Sequence, residues 1–371
     1  MAQTSETAAE PRKNYRCVQA LRAVAAGLVV VHHSLSMWLD SVMPRPGSLR
    51  WVNGAAGVDI FFVISGFVMA ISLPGLAARR NKAGVFLRRR CVRVVPLYWA
   101  ALTVSIAQIA LDPPAAPGAM LTPWRIAASY LFIPARNGSG EMYPLLTVGW
   151  TLNFEAFFYL LFAAALVLNV SPLAFLAPVL TALALAGTVR PDTWPDFTSL
   201  ASPQVIEFLY GVVLAHLATR RRLPGKALGV LLLGGGFLAL LLMPEPPAPW
   251  GFIEWGLPSA AMVAGAVALE DALGRRLPKW LLEAGDASYA LYLSHIFLLP
   301  AMVCIVGSLR VTGAPALAAA VALGLAISFP AAILVHRCIE KPLMHLFKKR
   351  QAAERFDGLG ANIAPVAMEN V

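Results

Sequence analysis

The chain has 371 residues, 58% of them hydrophobic and only 13% charged, with a mean hydropathy of +0.67. That balance excludes a soluble globular domain and predicts a polytopic membrane protein. Spans of roughly 20 residues each take up most of the length, which leaves room for one membrane domain and no separate soluble one. Apolar segments follow one another near 18–38, 55–73, 94–111, 150–168, 172–189, 203–219, 227–243, 252–270, 287–307 and 315–338. The expected fold is therefore all-α and integral to the membrane, a bundle of about ten transmembrane helices.

The N-terminus "MAQTSETAAEPRKNYR" is polar, with no short apolar core before a small-residue cleavage site, so the first span is expected to act as its own insertion signal. The net charge of +10 is distributed as a membrane protein distributes it. With a cytoplasmic N-terminus, all of the 30 basic residues except Arg45, Arg50, Arg125, Arg136, Arg190 and Arg310 fall on the inner side. That bias sets the orientation, puts both termini in the cytoplasm, and accounts for the charge without a nucleic-acid partner. The expected organisation is a cytoplasmic tail over 1–16, a membrane domain over 17–343 and a second cytoplasmic tail over 344–371. Cys17, Cys91, Cys304 and Cys338 suggest no outer-loop disulfide. The longest outer connection, about 112 to 149, is broken by Pro113, Pro114, Pro117, Pro134 and Pro144, and carries an amphipathic piece, "WRIAASYLF", suited to the interface.

Ionisable residues inside apolar segments mark functional positions, because a bilayer span tolerates them only toward a bundle interior or an aqueous path. Arg22 and His33 stand on the first segment, where eleven residues place them within about 20° of one another and about 16 Å apart along the helix. His32 points about 100° away from that face. Asp59 in "GVDIFFVISGF" and Glu155 in "GWTLNFEAFFYLLF" enter their segments from the outer end, at a depth comparable with His33. A polar cavity shared by His33, Asp59 and Glu155 is the expectation. On the inner side, "FLRRRCVRVVPLYW" places Arg90 and Arg93 three apart on one helix face at the entrance of the third span. Guanidinium forks there suit a phosphorylated cytosolic donor, although positive-inside anchoring accounts for the same residues. Ser288, Tyr292 and His295 recur at i, i+4 and i+7 on the ninth segment. Two function classes fit this set: a group-transfer enzyme, and a proton-coupled transporter in which His33, Asp59 and Glu155 form a relay. The chain shows no internal repeat of the kind common in transporters.

These motifs resemble the acyltransferase-3 family of integral membrane acyltransferases. The resemblance runs from Arg16 to about Leu343. It rests on Arg22 and His33, on "GVDIFFVISGF", and on Arg90 and Arg93 followed by "PLYW". Trp150 and Glu155 followed by "FFYL", the run from Ser288 to His295, and "EKP" at 340 to 342 complete it. "WTLNFE" at Trp150, where the commoner pattern is Trp-Ser-Leu, is similar to the branch that decorates exopolysaccharides. With so little sequence after the last span, the extra-cytoplasmic hydrolase-like domain fused to some relatives is not expected. The resemblance implies a multi-pass protein of the bacterial inner membrane that moves an acetyl group from cytosolic acetyl-CoA to a hydroxyl of an exopolysaccharide, lipopolysaccharide or similar glycan. The layout of the residues fits that activity: catalysis is expected of His33, with Asp59 fixing the imidazole tautomer and Glu155 as a second acid/base or an acceptor-orienting group. Donor binding falls to Arg22, Arg90, Arg93 and His295, and acceptor binding to Trp150 and Tyr292, with no metal expected. Direct transfer with His33 as base is preferred over a transient acyl-histidine, and acetyl over succinyl or another short acyl group.

Overall fold

The computed structural model describes residues 15–42, 53–76, 79–112, 120–191, 193–246 and 249–346. Of the expected tails, residues 1–14 and 347–371 lie outside these, as do residues 113–119 of the long outer connection. The described residues form helices and connections, with no strand among them.

The chain begins with α1 (Arg16–Val42), whose first turn is capped from far away: the Cys17 amide donates to Glu270 Oε2 at 2.8 Å. A carboxylate there satisfies an orphan donor and complements the helix dipole. A 3-10 turn (Asn53–Ala56) leads into α2 (Gly57–Ile71), and the Asn53 amide group donates to the carbonyls of Leu240 and Met243. Helix α3 runs from Lys82 to Leu111, with Asn81 accepting from the Gly84 amide at 2.8 Å as its N-cap. It therefore starts about three turns before the apolar segment of its sequence. The basic run at 88–93 lies inside a continuous helix, because arginine is a good helix former and nothing before Pro96 breaks the pattern.

The amphipathic piece forms α4 (Pro123–Tyr130), capped by Thr122 and carrying Pro at its first position. It docks along α3, where Tyr98 Oη donates to the Ser129 carbonyl and Trp99 Nε1 to the Tyr130 carbonyl. There follow α5 (Trp150–Val167), α6 (Pro172–Thr188), α7 (Val205–Thr219), α8 (Lys226–Leu242) and a short α9 (Gly251–Glu254). Next come α10 (Gly256–Ala268), a one-turn α11 (Glu270–Leu273), α12 (Lys279–Asp286), α13 (Ser288–Ser308) and α14 (Gly313–Val335), which passes through a π-turn at His336–Glu340.

Each of the ten apolar segments of the sequence carries one of these helices. Seven apolar helical stretches, those of α1, α2, α3, α5, α10, α13 and α14, are long and apolar enough to cross a membrane. Helices α6, α7 and α8 are also apolar but have only 17, 15 and 17 residues. At 1.5 Å per residue they are about 23 to 26 Å long, short of a hydrocarbon core of about 30 Å. The protein is an integral membrane protein by this apolar helical content.

Packing places α1 and α2 at the centre. Helix α2 makes its most extensive contact with α7, while α1 touches α2, α10, α12, α13 and α14. Close approach depends on glycine. A Cβ on Gly66 of α2 would land on the Phe208 carbonyl oxygen of α7, and one on Gly211 of α7 would land on the Val63 carbonyl oxygen of α2. Small residues at such crossings let helix backbones pack where lipid offers no competing hydrophobic drive. Phe62, Phe158 and Phe208 then stack between α2, α5 and α7 with centroids 4.6 and 4.5 Å apart.

Candidate active site

The elements α1, α2, α3, α5 and α13 surround a pocket into which the charged residues of several helices converge. Its polar lining consists of Arg22, Ser65, Arg90, Arg93, Thr151, Glu155, Ser288, Tyr289 and Tyr292, and its apolar walls include Phe61, Phe62 and Val94. Arg22 donates through Nε and Nη2 to the Ser288 hydroxyl, at 3.1 and 3.0 Å. Arg90 and Arg93, about two and three turns into α3, line the same pocket as Arg22. The Arg90 guanidinium lies over the rings of Phe86 and Tyr159, 5.6 and 5.9 Å from their centroids, a packing that favours a flat, weakly hydrated cation.

Glu155 stands among these arginines. Its Oε1 accepts from Ser65 at 3.1 Å and from Tyr159 at 2.5 Å. Its charge acts on Arg22 and Arg90. Three guanidinium groups against one carboxylate leave the pocket cationic. Tyr292 closes another side: its hydroxyl donates to the Val148 carbonyl at 2.6 Å and meets the Thr151 hydroxyl at 2.8 Å. Tyr289 donates to the Val94 carbonyl at 2.8 Å, tying α13 to α3 beside Pro96.

His33 and His295 meet just past Tyr292, whose ring centroid is 6.2 Å from that of His295. His295 Nε2 lies 3.3 Å from His33 Nδ1, and the ring centroids are 5.0 Å apart. His295 is fully buried, and the His32 ring stands edge-on to His33 at 5.0 Å. Neither His33 nor His295 is part of the pocket lining itself.

The three acidic and imidazole groups expected in one cavity are thus distributed over three settings. Glu155 is with the arginines and His33 is with His295. Asp59 is buried and faces Glu207 of α7, itself fully buried, so the two carboxyl groups act on one another across the α2–α7 contact. The reason lies in the faces of α2. Phe61, Ser65 and Val68 line the pocket, whereas Asp59, Val63 and Gly66 share the face that α7 covers. His295, expected beside the donor arginines, contacts His33. Trp150, expected to hold the acceptor, is half-buried and packs edge-on to Phe62 and Phe154.

Ser65, Thr151, Tyr159, Tyr289 and Glu207 were not singled out from the sequence. Two signals could have found some of them. Tyr159 follows Glu155 by four residues, and Glu207 is an acid inside an apolar segment, the same feature that drew attention to Asp59 and Glu155. Among the described residues, no cluster of three or more His, Cys, Asp or Glu side chains could hold a metal ion. All four cysteines are free.

An apolar bundle that turns Arg22, Arg90, Arg93 and Glu155 onto one inner pocket has the build of a membrane enzyme or a transporter. The acyltransferase domain model of the acyltransferase-3 family matches residues 15–335, and the chain belongs to that family. It is an acyltransferase, which decides between the two function classes that the residues alone had left open. Among its relatives is the exopolysaccharide production protein ExoZ of Rhizobium meliloti (strain 1021), 34% identical over 83% of this chain and 95% of the relative. The acyltransferase MdmB of Streptomyces mycarofaciens is 25% identical over 80% of this chain and 83% of the relative. No solved structure matches the chain.

Proposed function

We propose that the protein transfers an acetyl group from cytosolic acetyl-CoA to a hydroxyl of an exported or envelope glycan, within one membrane domain over 17–343 whose two tails are cytoplasmic. On this reading the ten apolar helices all cross the bacterial inner membrane. The observation that carries the proposal is the convergence of Arg22, Arg90 and Arg93 on one pocket whose Tyr292 wall adjoins the His33–His295 pair. The name of the relative ExoZ supports a polysaccharide acceptor.

The chemistry follows from that layout. The phosphates of acetyl-CoA bind at the arginines, where bidentate guanidinium donors match phosphate oxygens. The pantetheine arm then spans the roughly 16 Å from Arg22 to His33, bringing the thioester to the imidazole. His33 takes the proton of the acceptor hydroxyl, the hydroxyl oxygen attacks the thioester carbonyl, and the carbon–sulfur bond breaks. The thiolate recovers the proton from the imidazolium, so free coenzyme A and an acetyl ester leave with no residue changed. Apolar walls formed by Phe61, Phe62 and Val94 keep water from competing for the thioester. Glu155 orients the acceptor or exchanges a second proton, steadied by Ser65 and Tyr159. Asp59, facing Glu207 where α2 packs against α7, lies apart from the imidazole and takes no part in its chemistry.

The test is transfer of radiolabelled acetyl from acetyl-CoA to glycan-bearing membrane vesicles of defined orientation, comparing the parent protein with His33→Ala. Label on the glycan with the parent alone is expected. Label that reaches the glycan equally with His33→Ala overturns the assignment of the base. Failure of the parent to label any glycan fraction, with succinyl-CoA succeeding where acetyl-CoA fails, overturns the donor.

A further inference from the structure

His33 and His295 stand on different helices, and the carbonyl groups around them fix which nitrogen of each ring carries the proton. His33 Nδ1 lies 3.0 Å from the Val29 carbonyl oxygen, and His295 Nδ1 lies 3.0 Å from the Leu291 carbonyl oxygen. A carbonyl oxygen only accepts, so in both neutral rings the proton is on Nδ1 and the lone pair is on Nε2. The contact between the rings, His295 Nε2 to His33 Nδ1 at 3.3 Å, then has one direction. His33 donates its Nδ1–H to the Val29 carbonyl and to His295 Nε2 together, and His33 Nε2 is left as the basic nitrogen.

We propose that His295 is a positioning residue for His33, the neutral counterpart of the carboxylate that orients the imidazole in a hydrolase triad, and that it takes no part in binding the donor. The inference rests on the reading of His33 as the general base. Among the described residues no carboxylate is hydrogen-bonded to either ring, and the ionisable or hydroxyl-bearing rings that flank the pair are His32 on α1 and Tyr292 on α13. A buried carboxylate in this place would hold an uncompensated charge in the apolar bundle whenever His33 is neutral. An imidazole partner carries no charge in the resting state and gains favourable interaction only when His33 becomes a cation.

The step balances without another reactant. The acceptor proton goes to His33 Nε2 as the oxygen–carbonyl bond forms. The Nδ1 proton strengthens its bond to His295 Nε2 or passes to it, which spreads the positive charge over two rings. Once the carbon–sulfur bond breaks, the thiolate takes one proton and both rings return to their starting tautomers.

Two variants separate positioning from space filling. Gln at 295 places an acceptor oxygen close to where Nε2 stands, and Phe fills the site without one. The kinetic expectation for His295→Phe is a fall in kcat of about 100-fold or more, an unchanged KM for acetyl-CoA, and recovery of at least about tenfold in His295→Gln. Equal losses in the two variants, or a raised KM with kcat retained, overturn the proposal.

The second readout needs no acyl transfer: nitrogen-15 NMR of the full chain, labelled at histidine and held in lipid bilayers, with the His33 signals assigned by their loss in His33→Gln. The expected spectrum has His33 protonated at Nδ1 alone, turning into a mixture of tautomers in His295→Phe. A His33 tautomer that is the same in the parent and in His295→Phe overturns the proposal even if acetyl transfer is confirmed. The expected spectrum together with a parent that fails to use acetyl-CoA overturns the proposed donor and leaves the ring pairing standing.

Discussion

Arg22 on α1 and Ser288 on α13 are joined by two hydrogen bonds, from Nε and Nη2 of the arginine to one hydroxyl, at 3.1 and 3.0 Å. The serine takes two donors of the guanidinium fork and so fixes its plane, leaving Nη1 and the second hydrogen on Nη2 for a ligand in the pocket. Hydrogen bonds to charged groups contribute about 1.5–3 kcal/mol. Ser288→Ala is expected to raise the KM for acetyl-CoA by about tenfold while kcat changes little. Arg22→Lys, which keeps the charge but loses the fork, is expected to do at least as much. Initial rates over a range of acetyl-CoA concentrations check both, and a fall in kcat at constant KM would move Arg22 from donor binding to the chemical step.

Arg90 and Arg93 separate two uses of a basic run. If they only orient the chain, lysine replaces them without loss, because topology counts charge and not geometry. If they hold phosphates, it does not, since Arg90 is also stacked over Phe86 and Tyr159. Direct binding of labelled acetyl-CoA to protein in lipid discs is expected to weaken by about tenfold or more in Arg90→Lys and in Arg93→Lys, with membrane abundance unchanged. Binding equal to that of the parent would return both residues to topology.

What the sequence makes legible here is the content of each helix, and what it hides is the neighbour each face meets. Apolar length located the ten helices, and helical spacing put Arg22 and His33 on one face and Tyr292 and His295 on another. Asp59 shows the limit. Its position fixes its direction around α2, but only the packing of α7 across Gly66 and Gly211 reveals that this direction ends at Glu207 and not in the pocket. The start of α3 was hidden for a different reason: an apolar-segment reading ends where charges begin, although an arginine-rich stretch capped by Asn81 continues the helix.

His33 and His32 are adjacent in the chain and unequal in the structure. His33 contacts His295 across the bundle, whereas His32 stands edge-on to the His33 ring, with the two planes at 81°. His33→Ala is expected to abolish glycan acylation, and His32→Ala to lower it by about tenfold or less, each measured against equal amounts of protein in the membrane. The reverse ranking would show that the other imidazole faces the thioester.

Glycine at the α2–α7 crossing gives a prediction about folding that does not depend on the chemistry. Cβ atoms added at Gly66 and Gly211 would collide with backbone carbonyl oxygens, of Phe208 and Val63 respectively. Backbone cannot swing aside as the end of a flexible side chain can, so relief requires the two helices to move apart. Overpacking of this kind costs about 1–3 kcal/mol, and the same movement would open the contact in which Asp59 faces Glu207. Gly66→Ala and Gly211→Ala are therefore expected to lower the Tm of the protein in lipid discs and its yield in the membrane. Gly234 and Gly235 of α8, where an added Cβ meets nothing within 4 Å, provide the contrast. Alanine there gains about 1 kcal/mol of helix propensity, so Gly234→Ala is expected to leave Tm unchanged or raised. Equal effects at Gly66 and Gly234 would mean that α2 and α7 are free to separate, and that the face holding Asp59 against Glu207 is not set by the crossing.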